Sequence, residues 1–201
     1  MNTIVSAFVS NVNNRYTDTT KQYYELGKTL LLSCVPKIIF VDKIMFDCIG
    51  VNYDKNNTLI VEIDKFDSYL YKYKHLLDKF YLNSTNYSKD TIEFMFTMCN
   101  KTEWVRKAIE INHFNTDHFI WVDFGIRHIS KELNNEQFTD KLNNLQFKTY
   151  KDLRIGGIWD VKYIYPIDIY KDIAWYFAGG VFGGNKQTLL QFADLMMTKC
   201  I

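Results

Sequence analysis

The sequence predicts an α/β fold, a mixed and mostly parallel central sheet flanked by helices, in a single domain over residues 1–201. Three observations predict it. The run Thr3 to Val9 is almost wholly apolar, as a strand covered on both faces must be; a helical pattern and a second apolar run, Lys37 to Asp42, follow it. A short bulky run, Phe119 to Val122, stops at Asp123 and Gly125. A glycine-rich stretch, Ala178 to Lys186, leads straight into a helical pattern. Strand, helix and strand in the first forty or so residues make a βαβ unit with a right-handed crossover.

Composition narrows the function classes. A hydrophobic fraction of 47% in 201 residues is enough for one substantial core. With 24 basic and 23 acidic residues the net charge is +1, so no basic field points to a nucleic-acid partner. The cysteines Cys34, Cys48, Cys99 and Cys200 are scattered and form no CxxC pair, which predicts free thiols in a reducing compartment. The start, Met1 to Val5, lacks a basic region followed by an apolar leader, and no run approaches the ~20 apolar residues of a membrane span. A soluble, cytoplasmic protein is expected.

The remaining elements follow in order. Thr19 or Thr20 can cap a helix running to Leu32, with Tyr23, Leu26 and Leu30 on its apolar stripe. Leu59 to Ile63 reads as a third strand, and Asp64 to Tyr81 as one or two short helices. Thr91 to Asn112 is helical with an interruption near Asn100, its apolar face carrying Trp104, Val105, Ala108 and Ile109. Lys131 to Asn144 is a further helix. Asp152 to Trp159 reads as a strand broken by Gly156 and Gly157, Tyr163 to Asp172 alternates apolar and acidic residues, and Gln187 to Met197 is a helix. Ala178 to Lys186 is predicted as a strand-to-helix turn with Asn185 capping the helix.

Asp123 is the first candidate for chemistry. Ligands of open α/β sheets sit beyond the carboxyl ends of strands, and a carboxylate there can hold a divalent cation that in turn holds phosphates. The glycine-rich stretch suits a sugar, a phosphate or an acceptor hydroxyl. It matches neither the GxxxxGK[ST] P-loop nor the GxGxxG dinucleotide fingerprint. His113 and His118 have a finger-like spacing with Cys99 upstream, but Met95 and Phe96 stand where the second cysteine would be, so zinc is not expected.

Thr3 to Ser10, Phe119 to Ile126 and Phe177 to Gln187, taken in this order, resemble the glycosyltransferases built on one nucleotide-sugar-binding α/β domain, the GT-A fold. The likeness is to the HtrL/YibB-type bacterial proteins and to related domains of large DNA viruses. The last stretch also resembles the glycine-rich segment of blood-group-type retaining galactosyltransferases. The resemblance implies transfer of a sugar from a nucleotide-diphosphate sugar, a UDP-sugar first, to a glycan or other hydroxyl acceptor. It implies that Ala7, Phe8, Val9, Asp42 and Asp123 face the nucleotide. Trp104, Gly179, Gly180, Gly183, Gly184 and Lys186 would surround the donor sugar and acceptor, with Lys101 and Lys107 on the same helix as Trp104. A divalent ion, Mn²⁺ or Mg²⁺, would sit on Asp123 with His128. Asp160, Asp168 and Asp172, close to the glycine-rich stretch, are the candidate catalytic acids, Asp160 and Asp172 among them, and the sequence does not choose between the three. The likeness to retaining enzymes favours retention of configuration.

One departure bears on the metal: the second acid of the family's Asp-x-Asp motif is Gly125 here. Arg127 or Lys186 could neutralise the diphosphate instead. The alternative expectation is a nucleotide-sugar or carbohydrate-binding module that has lost turnover along with that acid and the longer C-terminus of related enzymes. A third is an α/β interaction domain without a small ligand.

Overall fold

A computed structural model describes residues 1–13, 18–77, 86–160 and 176–200. Among these residues, six strands form one sheet. They are β1 (Thr3–Phe8), β2 (Lys37–Val41), β3 (Thr58–Glu62), β4 (His118–Val122), β5 (Arg154–Gly157) and β6 (Phe177–Asn185). Their order is β3-β2-β1-β4-β6-β5. β1 pairs in parallel with β2 and β4, and β2 with β3. β6 runs antiparallel between β4 and β5. The helices are α1 (Thr19–Leu32), α2 (Lys43–Ile49), α3 (Ile92–Cys99), α4 (Lys101–Ile111), α5 (Asn135–Leu145) and α6 (Lys186–Cys200). Three-ten turns occupy Lys65–Asp67, Tyr71–Leu77 and Ile126–Ile129. The fold is the mixed α/β architecture expected, its sheet mostly parallel and its helices flanking.

The period of two along each strand divides the core. Ile4 and Phe8 of β1, Ile39 and Val41 of β2, and Ile120 and Val122 of β4 face one side, with Leu30, Leu31, Met45, Phe138 and Leu142. Val5, Ile38, Phe40, Phe119 and Trp121 face the other, with Trp104, Val105, Ala108, Phe182 and Leu189. Burial on both faces is why β1, β2 and β4 read as continuous apolar runs.

Several boundaries differ from the sequence reading, each for a local reason. Asp18, rather than Thr19 or Thr20, caps α1 by accepting from the Lys21 amide at 3.0 Å. Asp42 caps a helix that the apolar pattern did not announce, accepting from the Met45 amide at 3.0 Å. α5 begins at Asn135, behind a capping box made by Asn134 and Gln137. The break at Asn100 is present: this residue ends α3 and opens α4.

The larger correction concerns the glycine-rich stretch, which is strand rather than turn. β6 lies against β4 with Gly183 opposite Ile120 and Phe182 opposite Trp121. A Cβ on Gly183 would fall 2.9 Å from the Phe119 carbonyl oxygen, so glycine serves close approach of two strands here. Asn185 does cap α6, accepting from the Thr188 amide at 2.9 Å. Tyr163 to Asp172 lies outside the described residues. Among the described residues, no helix is long and apolar enough to cross a membrane.

Candidate functional site

The chain leaves β1 toward β2 on one side and returns as β4 on the other, so the strand order reverses at β1. Ligands of open sheets bind at such a reversal, beyond the strands' carboxyl ends. A cavity of about 380 Å³ is found there. Ala7 and Phe8 of β1 and Val9 just after it enter the cavity, with Asp123 to Gly125 and His128 beyond the end of β4, and Gly179 and Gly180 from β6. Phe94, Thr97, Met98, Lys101 and Trp104 line it from α3 and α4, and Tyr23 from α1. Val12, Asn13, Thr19 and Lys89 complete the wall around Trp121. Its size is that of a small-molecule pocket, mostly apolar with a few convergent polar groups.

The polar centre is Asp123. Side chains two apart on a strand share a face, so the indole of Trp121 reaches Asp123, its Nε1 donating to Oδ1 at 2.7 Å. Lys101, at the start of α4, donates to the same oxygen at 2.7 Å and to the Gly179 carbonyl at 3.1 Å. The pair is sheltered, with the Lys101 side chain 12% and the Asp123 side chain 31% exposed. The Asp123 amide donates to the Gly180 carbonyl at 2.9 Å, continuing the ladder one residue beyond β4. Behind the carboxylate, Trp121 stacks between Trp104 and Phe182, with centroids at 6.0 and 6.2 Å. This aromatic stack fixes the indole whose N–H orients Asp123.

Phe8 packs on Tyr23 at 5.0 Å and on Phe124 at 5.8 Å, giving the β1 side an aromatic wall suited to a planar ring. Gly180 keeps the floor open; a Cβ there would fall 3.1 Å from Ile126 Cδ1 and 3.4 Å from Asp123 Oδ2.

Other sequence-selected residues lie elsewhere. Asp42 does not line the cavity. Its Oδ2 accepts from the Ser10 amide at 2.8 Å and its Oδ1 from Ser10 Oγ at 3.0 Å, beside the α2 cap. It thereby anchors the segment after β1 that carries Val12 and Asn13. Gly183 and Gly184 are buried inside the sheet, away from the cavity. Lys186 sits at the far end of β6, paired with Asp117 at 3.0 Å. Arg127 turns to the Ser130 and Leu133 carbonyls and lies over Phe138. Lys107 does not line the cavity, and Asp160 is exposed after β5 and does not line it either. Asp168 and Asp172 lie outside the described residues.

Among the described residues, the wall offers a divalent ion few donors. His128 lines the cavity; its Nδ1 donates to the Gly125 carbonyl at 2.7 Å, which leaves Nε2 as its one nitrogen able to ligate. Asp123 is the single carboxylate among the described residues of the wall, and its Oδ1 already accepts two hydrogen bonds. Among the described residues, no group of three His, Cys, Asp or Glu side chains could hold a metal.

Lys101 was legible only through the resemblance, as one of the lysines on the helix before β4 that also carries Trp104. The spacing Phe94, Met98, Lys101 and Trp104 runs down one helical face across the Asn100 break, and that was the available signal. Phe94, Met98, Tyr23 and Lys89 had no signal of their own.

No protein-family model matches the sequence, and no curated protein matches it. Among solved structures the chain is similar to mouse xyloside xylosyltransferase 1 in its apo form. The two are 10% identical with a TM-score of 0.43, over 98% of this chain and 71% of that one.

Proposed function

We propose that the chain is a glycosyltransferase of the GT-A type, moving a sugar from a nucleotide-diphosphate sugar, a UDP-sugar first, to a hydroxyl of a glycan or similar acceptor. One observation carries the reading. The three stretches whose order resembles this family, at Ala7 to Val9, Asp123 to Gly125 and Gly179 to Gly180, meet at one cavity at the strand-order reversal. The aromatic wall of Phe8 and Tyr23 suits the base, and the polar centre at Lys101 and Asp123 suits the diphosphate and the sugar hydroxyls.

In the transfer, the bond from the anomeric carbon to the diphosphate oxygen breaks and a bond to the acceptor oxygen forms. The acceptor hydroxyl loses its proton, and the nucleoside diphosphate departs with the electron pair. Among the described residues of the wall, Asp123 and His128 can accept a proton.

Thermal-shift measurements with UDP-, GDP- and TDP-sugars, followed by assay of released nucleoside diphosphate with glycan acceptors, test the proposal. Stabilisation by one donor and acceptor-dependent release are expected. Stabilisation with no release would leave a nucleotide-sugar-binding module, and no stabilisation by any donor would remove the reading.

A further inference from the structure

The Asp-x-Asp pattern would place a divalent cation on Asp123, and two features of the site oppose it. First, the position of the second acid is closed as well as empty. A Cβ on buried Gly125 would fall 2.7 Å from Cδ1 and Cε1 of the Tyr23 ring. Second, Asp123 Oδ1 is held by Lys101 and Trp121, each at 2.7 Å.

A departing diphosphate still needs positive charge where its own charge develops. Lys101 can supply it. Its ammonium, 5.7 Å from the Trp121 ring centroid, has three N–H donors; Asp123 and the Gly179 carbonyl take two, and the third has no hydrogen-bond partner among the described residues. Lys89 also lines the wall but is paired with Asp90 at 3.9 Å, which leaves Lys101 as the cation beside Asp123. We infer that the Lys101 ammonium, rather than a divalent metal ion, is the cation that meets the donor diphosphate, with Asp123 as the residue that positions it. The inference rests on the glycosyl-transfer reading above.

Isothermal titration of the protein with UDP, GDP and TDP, in EDTA and again with excess Mn²⁺, tests both. At least one of the three binds in EDTA with a Kd that Mn²⁺ leaves unchanged. Lys101→Met weakens that binding on the order of tenfold or more, the worth of a charge-assisted hydrogen bond, and Lys101→Arg restores most of it. Asp123→Asn is the decisive arm should Lys101→Met fail to fold. If Asp123 only positions a lysine, Asp123→Asn keeps or tightens diphosphate binding by removing a negative charge. Were Asp123 a metal ligand, the same change would abolish binding. Binding that requires Mn²⁺, or EDTA-resistant binding indifferent to Lys101→Met, overturns the Lys101 assignment and leaves glycosyl transfer standing. Binding of none of the three in either condition overturns both.

Discussion

The ring of Phe124 occupies the space where Gly27 lacks a side chain: a Cβ on Gly27 would fall 2.3 Å from Phe124 Cε1. Gly27 lies in the middle of α1, where glycine costs up to about 1 kcal/mol relative to alanine. Gly27→Ala would regain that helix propensity but drive a methyl into a buried ring, and overpacking of this kind costs about 1–3 kcal/mol. The clash wins, so Gly27→Ala is expected to destabilise the fold. Because Phe124 follows Asp123, the ring's displacement also moves the carboxylate. Urea unfolding together with the fluorescence of Trp121, whose indole touches Asp123, reads both effects. An unchanged midpoint would show that the ring yields freely.

Gly125→Asp restores the acid-x-acid pattern in sequence without room for it in space. The new side chain meets the Tyr23 ring, so the single substitution is expected to cost roughly 1–3 kcal/mol and to confer no Mn²⁺ binding. Tyr23→Ala with Gly125→Asp opens the space and sets two carboxylates side by side. Mn²⁺ should then raise the Tm of the double variant and leave the wild-type Tm and that of Tyr23→Ala unmoved. A Mn²⁺-dependent shift in the wild type would contradict the account of the closed position.

Asp42 and Asp123 both end apolar strands, and in the sequence they look alike. Register and capping separate them. Asp42 turns toward α2 and Ser10, whereas Asp123 faces the cavity, drawn there by a tryptophan two residues back and a lysine from another helix. The parallel half of the sheet was legible because burial on both faces writes itself as apolar runs. β6 was not: its glycines answer to the backbone of β4, a tertiary contact that leaves no periodicity. α2 is seven residues long, too short to show a stripe. Lys101 does not stand out in the sequence because a lysine on a helix is usually solvated, and its partner lies 22 residues away.

Ser10 and Asp42 should therefore be coupled in stability. Asp42→Ala removes a helix cap and leaves two buried Ser10 donors without their acceptor, so a loss of about 2 kcal/mol is expected. Ser10→Ala removes only the hydroxyl donor. A double-mutant cycle by denaturant unfolding should give a coupling of about 1 kcal/mol. Strict additivity would mean that the Ser10 hydroxyl bond contributes nothing and that the cap carries the whole effect.

Lys37 gives the fold a pH dependence that is separable from the site. It opens β2 with no exposed surface, and its Nζ donates to the Ser33 and Val35 carbonyls at 2.7 and 3.0 Å, tying the end of α1 to the sheet. Burial lowers the ammonium from its ordinary 10.5 to about 8, with Asp54 and Cys34 pulling weakly the other way. The unfolded chain keeps its Lys37 proton up to 10.5, whereas the folded chain releases it near 8. Between those values the unfolded state binds more protons, so this residue's contribution to stability rises with pH. Below about 8 both states are charged and the folded state bears the desolvation penalty in full. The span between the two values corresponds to roughly 3 kcal/mol. Lys37→Met removes the titration while keeping the bulk, so tyrosine and cysteine ionisation cancels in the comparison. Relative to Lys37→Met, the wild type should gain on that order between pH 7.5 and 10.5 by urea unfolding. A difference flat in pH would show that the two carbonyls compensate the buried charge completely.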